Sequence, residues 1–379
     1  MNVLVTGDRG FLGRNLTAHL ALLKGCVTIP FDIGNSSDEL RAGLERADIV
    51  YHLAGANRPG STEEFENVNA GLTREICEIL SELDRTPVIV MASSIQAALD
   101  NPYGTSKRRA EEALREFAAR SGAQVHIYRL TNVFGKWCRP NYNSAVATFC
   151  HNIANGLPIQ ISDPSRELEL VHVDDVVKAF LAELPGQAGS NGQRDLPSFK
   201  LTLGDLAARI QSFHDMRTNL TTPDFALRFN QQLYATYLSY VPEDGRRQQL
   251  EIKSDQRGGL AEFIKSHHFG QIFISRTKPG ITRGGHYHHT KTEKFLIVEG
   301  DGVIRMRQIE SSKVEEYRVS GDAFQVIDIP PGYTHSIENV GAGNLVTLFW
   351  ASEIFDAGNP DTYFLPVLAA AESPVPVAA

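Results

Sequence analysis

Val3-Leu4-Val5-Thr6-Gly7-Asp8-Arg9-Gly10-Phe11-Leu12-Gly13 is the stretch of the chain that decides its fold. A short apolar run, Asn2–Thr6, leads directly into three glycines, and a helical pattern follows them. Glycines in such a turn let the backbone approach a pyrophosphate, which then lies at the positive end of the helix. The stretch therefore predicts a dinucleotide site whose candidate contacts are Gly7, Arg9, Gly10, Phe11, Leu12 and Gly13.

The first half of the chain continues this alternation of short strands and helices. We predict strands at Asn2–Thr6, Val27–Phe31, Ile49–His52, Val88–Met91 and Gln124–Tyr128, and helices at Leu12–Leu23, Thr73–Leu83, Lys107–Arg120, Leu203–Phe213 and Gln231–Ser239. Strands that alternate with helices form a parallel sheet covered on both faces. Residues 1–243 are therefore predicted to be an α/β domain of the Rossmann type.

The secondary-structure pattern of the sequence changes after Pro242. The polar segment 241–249, VPEDGRRQQ, is predicted to be a linker. Short strand patterns follow it, separated by turns that contain glycine and proline, with little helical pattern. Residues 244–379 are therefore predicted to form an all-β barrel or sandwich.

Composition excludes several classes of protein. The chain has 379 residues, too many for one ordinary core, and 42% of them are hydrophobic. Its net charge of −8 argues against nucleic acid or an anionic membrane as the main partner, because both need clustered positive charge. The four cysteines are far apart, and the N-terminus lacks the pattern of a signal peptide. We therefore expect a cytoplasmic protein that does not span a membrane.

The choice between NAD and NADP is left open by two residues that point to opposite cofactors. Asp32 follows the second predicted strand, where an acid binds the ribose hydroxyls in NAD enzymes. Arg9 lies inside the glycine turn, where a cation can meet the 2′-phosphate of NADP.

A tyrosine and a lysine are spaced for acid–base chemistry in Tyr103-Gly-Thr-Ser-Lys107. The four-residue spacing puts both side chains on one face of a helix, where the lysine is expected to lower the pKa of the tyrosine. Ser93 and Ser94 end a predicted strand, at the sheet edge where ligands bind. An N-capped helix with a buried tyrosine, and serines that only cap a strand end, are the structural alternatives.

In this context the chain resembles the extended, sugar-nucleotide branch of the short-chain dehydrogenase/reductase family. The matching segments are His52-Leu53-Ala54-Gly55, Asn69 in Val-Asn-Ala-Gly, Arg129-Leu-Thr-Asn132-Val-Phe-Gly135 and Val171-His-Val-Asp-Asp175. The resemblance implies that Ser94 polarises a carbonyl, that Tyr103 is the acid, and that Lys107 assists Tyr103 and binds the nicotinamide ribose. It also implies cofactor contacts at Leu53, Ala54 and Gly55 and substrate contacts at Asn132 and Arg166. Dehydratases of this branch carry an Asp-Glu pair where this chain has Ile95-Gln96, so reduction or epimerisation is favoured.

The second half carries the spacing of a metal-binding cupin barrel. Gly280-x5-His286-x-His288-x4-Glu293-x6-Gly300 matches the first cupin motif, and Pro330-x-Gly332-x2-His335-x3-Asn339 matches the second. Alternation along a strand sends His286 and His288 to the same face. Three imidazoles and the carboxylate of Glu293 suit a divalent ion, zinc above all. Polar residues that only fill the mouth of a barrel are the alternative.

Two further segments resemble the cupin sugar-nucleotide epimerases of the dTDP-rhamnose pathway. They are Asp255-Gln-Arg257-Gly258 and Arg283-Gly-Gly-His286-Tyr. In those enzymes the matching histidine is a base and no metal is needed, so the role of His286 stays open. The resemblance makes Lys294 a candidate catalytic cation and Arg257 a candidate phosphate contact. A surface salt bridge is an equally open interpretation of Lys294.

Strings along nearly the whole chain resemble a family of bifunctional capsular-polysaccharide enzymes. They include Ser93-Ser-Ile-Gln-Ala97, Phe134-Gly-Lys-Trp-Cys138, Lys278-Pro-Gly-Ile-Thr282 and Asp361-Thr-Tyr-Phe364. The resemblance implies a zinc cupin that epimerises C3 of a UDP-linked 4-keto-6-deoxy-N-acetylhexosamine, and a reductase domain that reduces the C4 ketone with NADPH. The product implied is a precursor of N-acetyl-L-fucosamine.

Two other functions stay open. In one, the first domain alone is active, as a reductase or 4-epimerase, and the barrel only binds metal, sugar or a second subunit. In the other, the protein senses a dinucleotide without turnover, which the Tyr103 and Lys107 pair disfavours. Both domain types often self-associate, so a homodimer is expected.

Overall fold

The computed structural model describes residues 1–56, 65–186 and 196–368. The chain forms two compact units. The first consists of residues 1–211 and 231–242, and the second consists of residues 212–230 together with residues from 243 onward. Segment 212–230 therefore packs with the second unit although it lies before residue 243. We keep 1–243 and 244–379 as proposed bounds of the two functional domains.

A parallel sheet is the framework of the first unit. Its strands are β1 (Asn2–Thr6), β2 (Val27–Phe31), β3 (Ile49–His52), β4 (Val88–Ser94) and β5 (Val125–Leu130), in the order β2-β1-β3-β4-β5. The first three have the predicted bounds, and the last two continue beyond them. Strands β6 (Asn132–Phe134), β7 (Glu167–His172) and β8 (Ser198–Thr202) form a small separate sheet in that order.

The helices of the described residues are α1 (Phe11–Leu20), α2 (Ser37–Arg46), α3 (Leu72–Glu82), α4 (Pro102–Ser121), α5 (Ala145–Ala154), α6 (Val173–Leu181), α7 (Leu203–Asn219) and α8 (Arg228–Leu238), and a π-helical turn, Glu66–Gly71, leads into α3. Helices α1 and α6 pack on one face of the parallel sheet, and α2, α3 and α4 pack on the other. Val3 and Val5 are buried in a cluster with residues of α1 and α6. Leu4 lies in a second cluster with residues of α2, α3 and α4. The side chains of β1 therefore alternate between two cores, as the strand period of two requires.

The second unit consists of two antiparallel sheets. Strands β9 (Ile252–Asp255), β10 (Gly258–Ser266), β11 (Gly270–Thr277), β13 (Glu293–Glu299), β16 (Val326–Ile329) and β18 (Leu345–Ala351) form one, in the order β16-β13-β18-β11-β10-β9. Strands β12 (Thr282–Tyr287), β14 (Asp301–Gln308), β15 (Val314–Ser320), β17 (Tyr333–Asn339) and β19 (Tyr363–Phe364) form the other, in the order β15-β14-β17-β12-β19. Side chains from both sheets, among them Phe295, Ile304, Ile337 and Phe349, fill the core between them.

The predicted fold class, a Rossmann-type α/β domain followed by an all-β domain, is confirmed. Among the described residues no helix is both long and apolar enough to cross a bilayer. In both units the strand ends carry the polar side chains that the sequence singles out.

Candidate functional site

The turn after β1 is shaped by glycines that no other residue can replace. Gly7 has a φ of +71°, and a Cβ there would lie 2.8 Å from the backbone nitrogen of Ala54. A Cβ on Gly13 would lie 2.1 Å from the carbonyl oxygen of Gly7. The turn is closed by a hydrogen bond from the nitrogen of Gly10 to that same oxygen, at 3.0 Å. Helix α1 thus begins directly at the sheet edge, where the N-terminus of a helix favours a phosphate.

Asp32 is held against the glycine turn. Its Oδ2 accepts a hydrogen bond from the backbone nitrogen of Arg9 at 2.8 Å, and its Oδ1 accepts one from Ile33 at 2.7 Å. The side chain of Arg9 itself is exposed. Burial, and then the nearby charge of Asp32, raise the pKa of Asp8. The acid and the cation that point to different cofactors therefore lie side by side.

A buried histidine links the two loops that flank the dinucleotide turn. Thr73 donates its hydroxyl proton to the carbonyl of Asn69 at 2.6 Å, so its oxygen accepts from Nε2 of His52 at 2.9 Å. Nδ1 of His52 then accepts from the hydroxyl of Thr6 at 2.9 Å, and that hydroxyl accepts from the nitrogen of Ala54 at 3.2 Å. Burial lowers the pKa of His52 to about 3, which keeps the ring neutral. These hydrogen bonds fix the His52–Gly55 segment, which was identified above only by its resemblance to the family's segment beside the cofactor.

Helix α4 brings Tyr103 and Lys107 to the end of β4. Its N-cap residue, Asn101, accepts from the nitrogen of Gly104 at 2.8 Å, and Pro102 occupies the first turn. A Cβ on Gly104 would lie 2.1 Å from the carbonyl oxygen of Gln96, so glycine is what allows the helix to approach so closely.

The side chain of Ser94 lies close enough to Tyr103 to influence the pKa of its hydroxyl. Burial raises the pKa of Tyr103, and the neighbouring Ser94 offsets this only in part. The expected lowering of this pKa by Lys107 is therefore wrong for the described structure. A phenol with a raised pKa stays protonated, which is the state that a proton donor needs.

Lys107 is almost completely buried. Its Nζ donates to the carbonyl oxygen of Ala92 at 3.2 Å, and a Cβ on Gly55 would lie 2.9 Å from that Nζ. Burial lowers the pKa of Lys107 to about 8, although the charge of Glu111 opposes the change. Asn69 lies beside it, with its Nδ2 donating to Ser106 at 2.9 Å.

The two serines at the end of β4 have different partners. Ser93 donates to the buried carboxylate of Glu111 at 2.5 Å, and Arg129 also donates to that carboxylate through Nε and Nη2. Among the described residues, Ser94 accepts a single hydrogen bond, a local one from the nitrogen of Gln96 at 3.2 Å. Ser93 therefore has a structural role, and Ser94 is the serine that can contact a substrate.

The two predicted substrate contacts of the first unit lie on its surface. Asn132, on β6, donates to the carbonyl oxygen of Glu169 at 3.1 Å. Arg166, just before β7, is exposed. Within the described residues, no hydrogen bond or ion pair joins either side chain to Ser94, Tyr103 or Lys107. Their roles stay predictions.

The four predicted metal ligands of the barrel converge. One ligand atom from each of His286, His288, Glu293 and His335 lies within 4.8 Å of all the others. Strands β12 and β17 pair His286 with His335, and a bulge at Gly284 and Gly285, both with positive φ, turns the end of β12 inward. Oε2 of Glu293 lies 3.3 Å from Nε2 of His288 and 3.1 Å from Nε2 of His335.

Hydrogen bonds at Nδ1 of His288 and of His335 indicate which nitrogen of each ring is available to a metal. Nδ1 of His288 lies 2.6 Å from the carbonyl oxygen of Asp361, and Nδ1 of His335 lies 3.2 Å from that of Tyr333. A carbonyl can only accept, so each Nδ1 carries a proton and Nε2 is the nitrogen of each ring that can bind a metal. Nε2 of His288 is buried and has no hydrogen-bond partner among the described residues. Imidazole nitrogens that converge beside a carboxylate fit a divalent cation.

The charge of Glu293 agrees with this fit. Burial by itself would raise the pKa of the carboxyl, but the neighbouring His288 and His335 outweigh burial and hold that pKa well below its usual range. Burial, and then the neighbouring His335, lower the pKa of His286 to about 4. The cluster therefore offers an ionised carboxylate and a neutral His286 imidazole at neutral pH.

A cavity of about 180 Å³ opens beside the cluster. Its lining includes His286, Glu293 and His335, the cations Arg257 and Arg283, and apolar side chains such as Phe273 and Phe349. Arg257 is paired with Asp255 through bonds of 2.9 and 2.6 Å. The predicted phosphate contact therefore faces the cavity, and Arg283 is a second cation there that the sequence analysis did not assign.

Lys294 does not reach this cavity, which corrects its predicted catalytic role. Along β13 the buried side chains Glu293 and Phe295 point inward, so Lys294 between them points outward. Its ammonium is paired with Asp328 on the neighbouring strand, and it is half exposed. The surface salt bridge is the interpretation that the structure supports.

Comparisons with known proteins agree with this division into two parts. The model of the NAD dependent epimerase/dehydratase family matches residues 3–194, and that of the polysaccharide biosynthesis C-terminal domain matches residues 253–363. A protein of Pseudomonas aeruginosa, UDP-2-acetamido-2,6-beta-L-arabino-hexul-4-ose reductase, is 44% identical over 364 residues, which are 96% of this chain and 98% of that protein.

Two solved structures are similar over almost the whole chain. The capsular polysaccharide assembling protein CapF from Staphylococcus aureus is 44% identical with a TM-score of 0.90, covering 97% of this chain and 100% of that one. CapF with the inhibitor 3-isopropenyl-tropolone is 41% identical with a TM-score of 0.86, at the same coverage. The chain therefore belongs to the NAD dependent epimerase/dehydratase family and, with its polysaccharide biosynthesis C-terminal domain, is of the CapF type.

Proposed function

We propose that the chain acts twice on a UDP-linked 4-keto-6-deoxy-N-acetylhexosamine. Residues 244–379 epimerise C3, and residues 1–243 reduce the C4 ketone with NADPH. The product is a UDP-N-acetyl-6-deoxy-L-talosamine-type sugar, for the N-acetyl-L-fucosamine of a capsule or O-antigen. The observation that carries the reductase half is the grouping of Tyr103, Ser94 and buried Lys107 at the end of β4, in a chain 44% identical to a reductase of a UDP-linked hexulose.

In the reductase half, three side chains act on the ketone. When bound, NADPH supplies the hydride that reduces C4. Ser94 donates a hydrogen bond to the ketone oxygen, and Tyr103 then gives its proton to that oxygen as negative charge develops on it. Lys107 binds the hydroxyls of the nicotinamide ribose. The raised pKa of Tyr103 keeps its phenol protonated until the transfer.

The choice of NADPH depends on Arg9. A guanidinium at the glycine turn can pair with a 2′-phosphate, and the backbone bond from Arg9 to Asp32 partly satisfies the opposing carboxylate. NAD remains the second cofactor to be tested, because Asp32 can also accept from ribose hydroxyls.

In the epimerase half, the cavity beside the four-residue cluster holds the sugar. His286, His288, Glu293 and His335 would hold zinc, which when bound supplies positive charge for the oxygen that becomes negative as C3 loses its proton. Arg257 and Arg283 bind the diphosphate at the cavity. A proton on C3 is acidic only while C4 is a ketone, so the reduction fixes the configuration reached by epimerisation.

The two possible roles of His286 predict different results. If His286 is a fourth metal ligand, the substitution His286→Asn weakens metal binding. If His286 is the base at C3, the same substitution leaves the metal in place and abolishes exchange of the C3 proton. The homodimer and the cytoplasmic location also stay predictions, which light scattering and cell fractionation can test.

The proposal is tested by incubating the protein with the UDP-linked 4-keto sugar in heavy water and following the product by NMR. We expect deuterium at C3 without added NADPH, and oxidation of NADPH when it is present. Tyr103→Phe should lose NADPH oxidation and keep C3 exchange. Loss of both activities together contradicts separate sites, and reduction without any C3 deuterium assigns a non-catalytic role to the barrel.

A further inference from the structure

One segment that the sequence analysis singled out, Asp361-Thr-Tyr-Phe364, has no part in the chemistry described above. It lies along β12, the strand that carries the metal ligand His286. Strand β19 pairs with β12 through His286 with Phe364 and Tyr287 with Tyr363, and the nitrogen of Leu365 donates to the carbonyl of Gly285 at 2.8 Å. The segment therefore covers the edge of the strand from which His286 projects.

Asp361 makes an unusual number of contacts with the loop that follows this strand. Its carboxylate accepts from the backbone nitrogens of His289, Thr290 and Lys291, each at 2.9 Å, and from the hydroxyl of Thr290 at 2.9 Å. One side chain thus fixes three consecutive peptide groups.

The backbone of the same residue contacts a metal ligand directly. The carbonyl oxygen of Asp361 accepts from Nδ1 of His288 at 2.6 Å. This contact holds a proton on Nδ1, so that Nε2 is the nitrogen of the ring that can bind a metal. The φ of Asp361 is +37°, in the left-handed region, where aspartate is found more often than most residues.

Buried Lys291 strengthens the same attachment. Its Nζ donates to the carbonyl of Pro360 at 2.9 Å and lies 3.4 Å from the hydroxyl of Thr362. The loop after β12 and the segment around Asp361 therefore hold each other at two points on either side of the contact with His288.

We propose that Asp361 is a positioning residue for the metal site: its carboxylate anchors the 289–291 loop so that its carbonyl oxygen holds His288 in the tautomer and orientation that binds the metal. This inference rests on the metal site of the proposed function. Partners of this kind behind a metal-bound histidine typically contribute about 10- to 100-fold in metal affinity.

The test compares metal affinity in the full chain and its Asp361→Ala and Asp361→Asn variants, using Zn²⁺ in competition with a chelator and Co²⁺ absorption spectra. We expect Asp361→Ala to bind Zn²⁺ about 10- to 100-fold more weakly, and Asp361→Asn to lie between it and the unaltered chain. Asp356→Ala is the matched control. Its carboxylate belongs to the same segment but accepts only from Gly358, at 2.8 Å, so its affinity should not change.

A second readout separates positioning from a general loss of stability. The melting temperature is measured for each chain with and without Zn²⁺. A purely structural role lowers both values and leaves their difference unchanged, whereas a positioning role reduces the increase that Zn²⁺ produces. If both Asp361 variants bind Zn²⁺ as tightly as the unaltered chain, the inference about Asp361 is wrong, while the proposed metal site stands. Failure of the unaltered chain to bind Zn²⁺ or Co²⁺ overturns the proposed metal site as well.

A measurement on the unaltered chain does not depend on how the variants fold. In the zinc-loaded protein, ¹⁵N NMR of the His288 ring should show a protonated Nδ1 and a metal-bound Nε2. The opposite tautomer contradicts the contact with Asp361 on which the inference depends.

Discussion

Replacement of Lys107 by methionine should make the first unit more stable while it removes the reductase activity. Methionine is nearly as long as lysine, so it fills the same buried space without the charge. At that position burial lowers the pKa of the lysine from 10.5 to about 8. A tenfold change in proton affinity corresponds to about 1.4 kcal/mol, so the buried charge costs the folded state about 3 kcal/mol at neutral pH.

Contacts that lysine makes and methionine cannot make offset part of this cost. The bond from Lys107 to the carbonyl of Ala92 contributes about 1 kcal/mol. Glu111 loses a nearby positive charge, but Arg129 and Arg115 still bind its carboxylate. We therefore expect Lys107→Met to raise the free energy of unfolding by about 2 kcal/mol at pH 7.

The difference in free energy of unfolding between Lys107→Met and the unaltered chain should depend on pH. Below pH 8 the lysine is charged in the folded and unfolded states, so the full cost is present. Between about pH 8 and 10.5 the folded state releases the proton first, and the cost disappears. The advantage of Lys107→Met over the unaltered chain should therefore be largest below pH 8 and shrink as the pH rises toward 10.5.

Hydrogen exchange measured by mass spectrometry on peptides from α4 reports on this unit within the full chain. A gain of about 2 kcal/mol corresponds to about 30-fold slower exchange of the most protected amides, after correction for intrinsic rates. Lys178→Met, an exposed lysine of α6, is the matched control and should leave protection unchanged. Equal or lower protection in Lys107→Met at pH 7 refutes the reasoning, as does a gain that persists above pH 10.

Three other changes test the rest of the site. Gly13→Ala should abolish dinucleotide binding in a fluorescence titration, since its Cβ would lie 2.1 Å from the oxygen of Gly7; unchanged affinity contradicts the described turn. Lys294→Ala should keep C3 exchange within about twofold, because an exposed salt bridge with Asp328 contributes about 1 kcal/mol or less; a 100-fold loss in the NMR assay restores its catalytic role. Asp32→Ala should raise the ratio of kcat/KM for NADPH over NADH by about tenfold, because the carboxylate opposes a 2′-phosphate; a fall in that ratio assigns the enzyme to NAD.

The periodicity of hydrophobic residues predicts many of the strands and helices of the first unit. The strands β1, β2 and β3 begin and end where the sequence predicts, because short apolar runs between turns have few alternatives. Helix α2 was missed, although Ser36 and Glu39 form a capping box that marks its start. Helix α5 was missed as well, since its apolar side chains leave little amphipathic contrast.

Within the site, spacing predicted which residues meet but not the direction of every side chain. His286, His288, Glu293 and His335 converge as their motif indicates. Lys294 was assigned from resemblance alone, whereas alternation along β13 places it outside. The raised pKa of Tyr103 depends on how deeply its ring is buried, which no spacing reveals. The contacts of Asp361 join residues about 70 positions apart in sequence, and only the folded chain brings them together.

The contact between His288 and Asp361 has a consequence for the order in which the protein is made. The two residues are separated by 73 positions, so the ribosome synthesises the ligand long before the carbonyl that orients it. Until that late segment emerges, His288 lacks the carbonyl oxygen that holds the proton on its Nδ1. Tight capture of zinc should therefore be one of the last events of biogenesis, and fragments released early from translation should take up little of the ion.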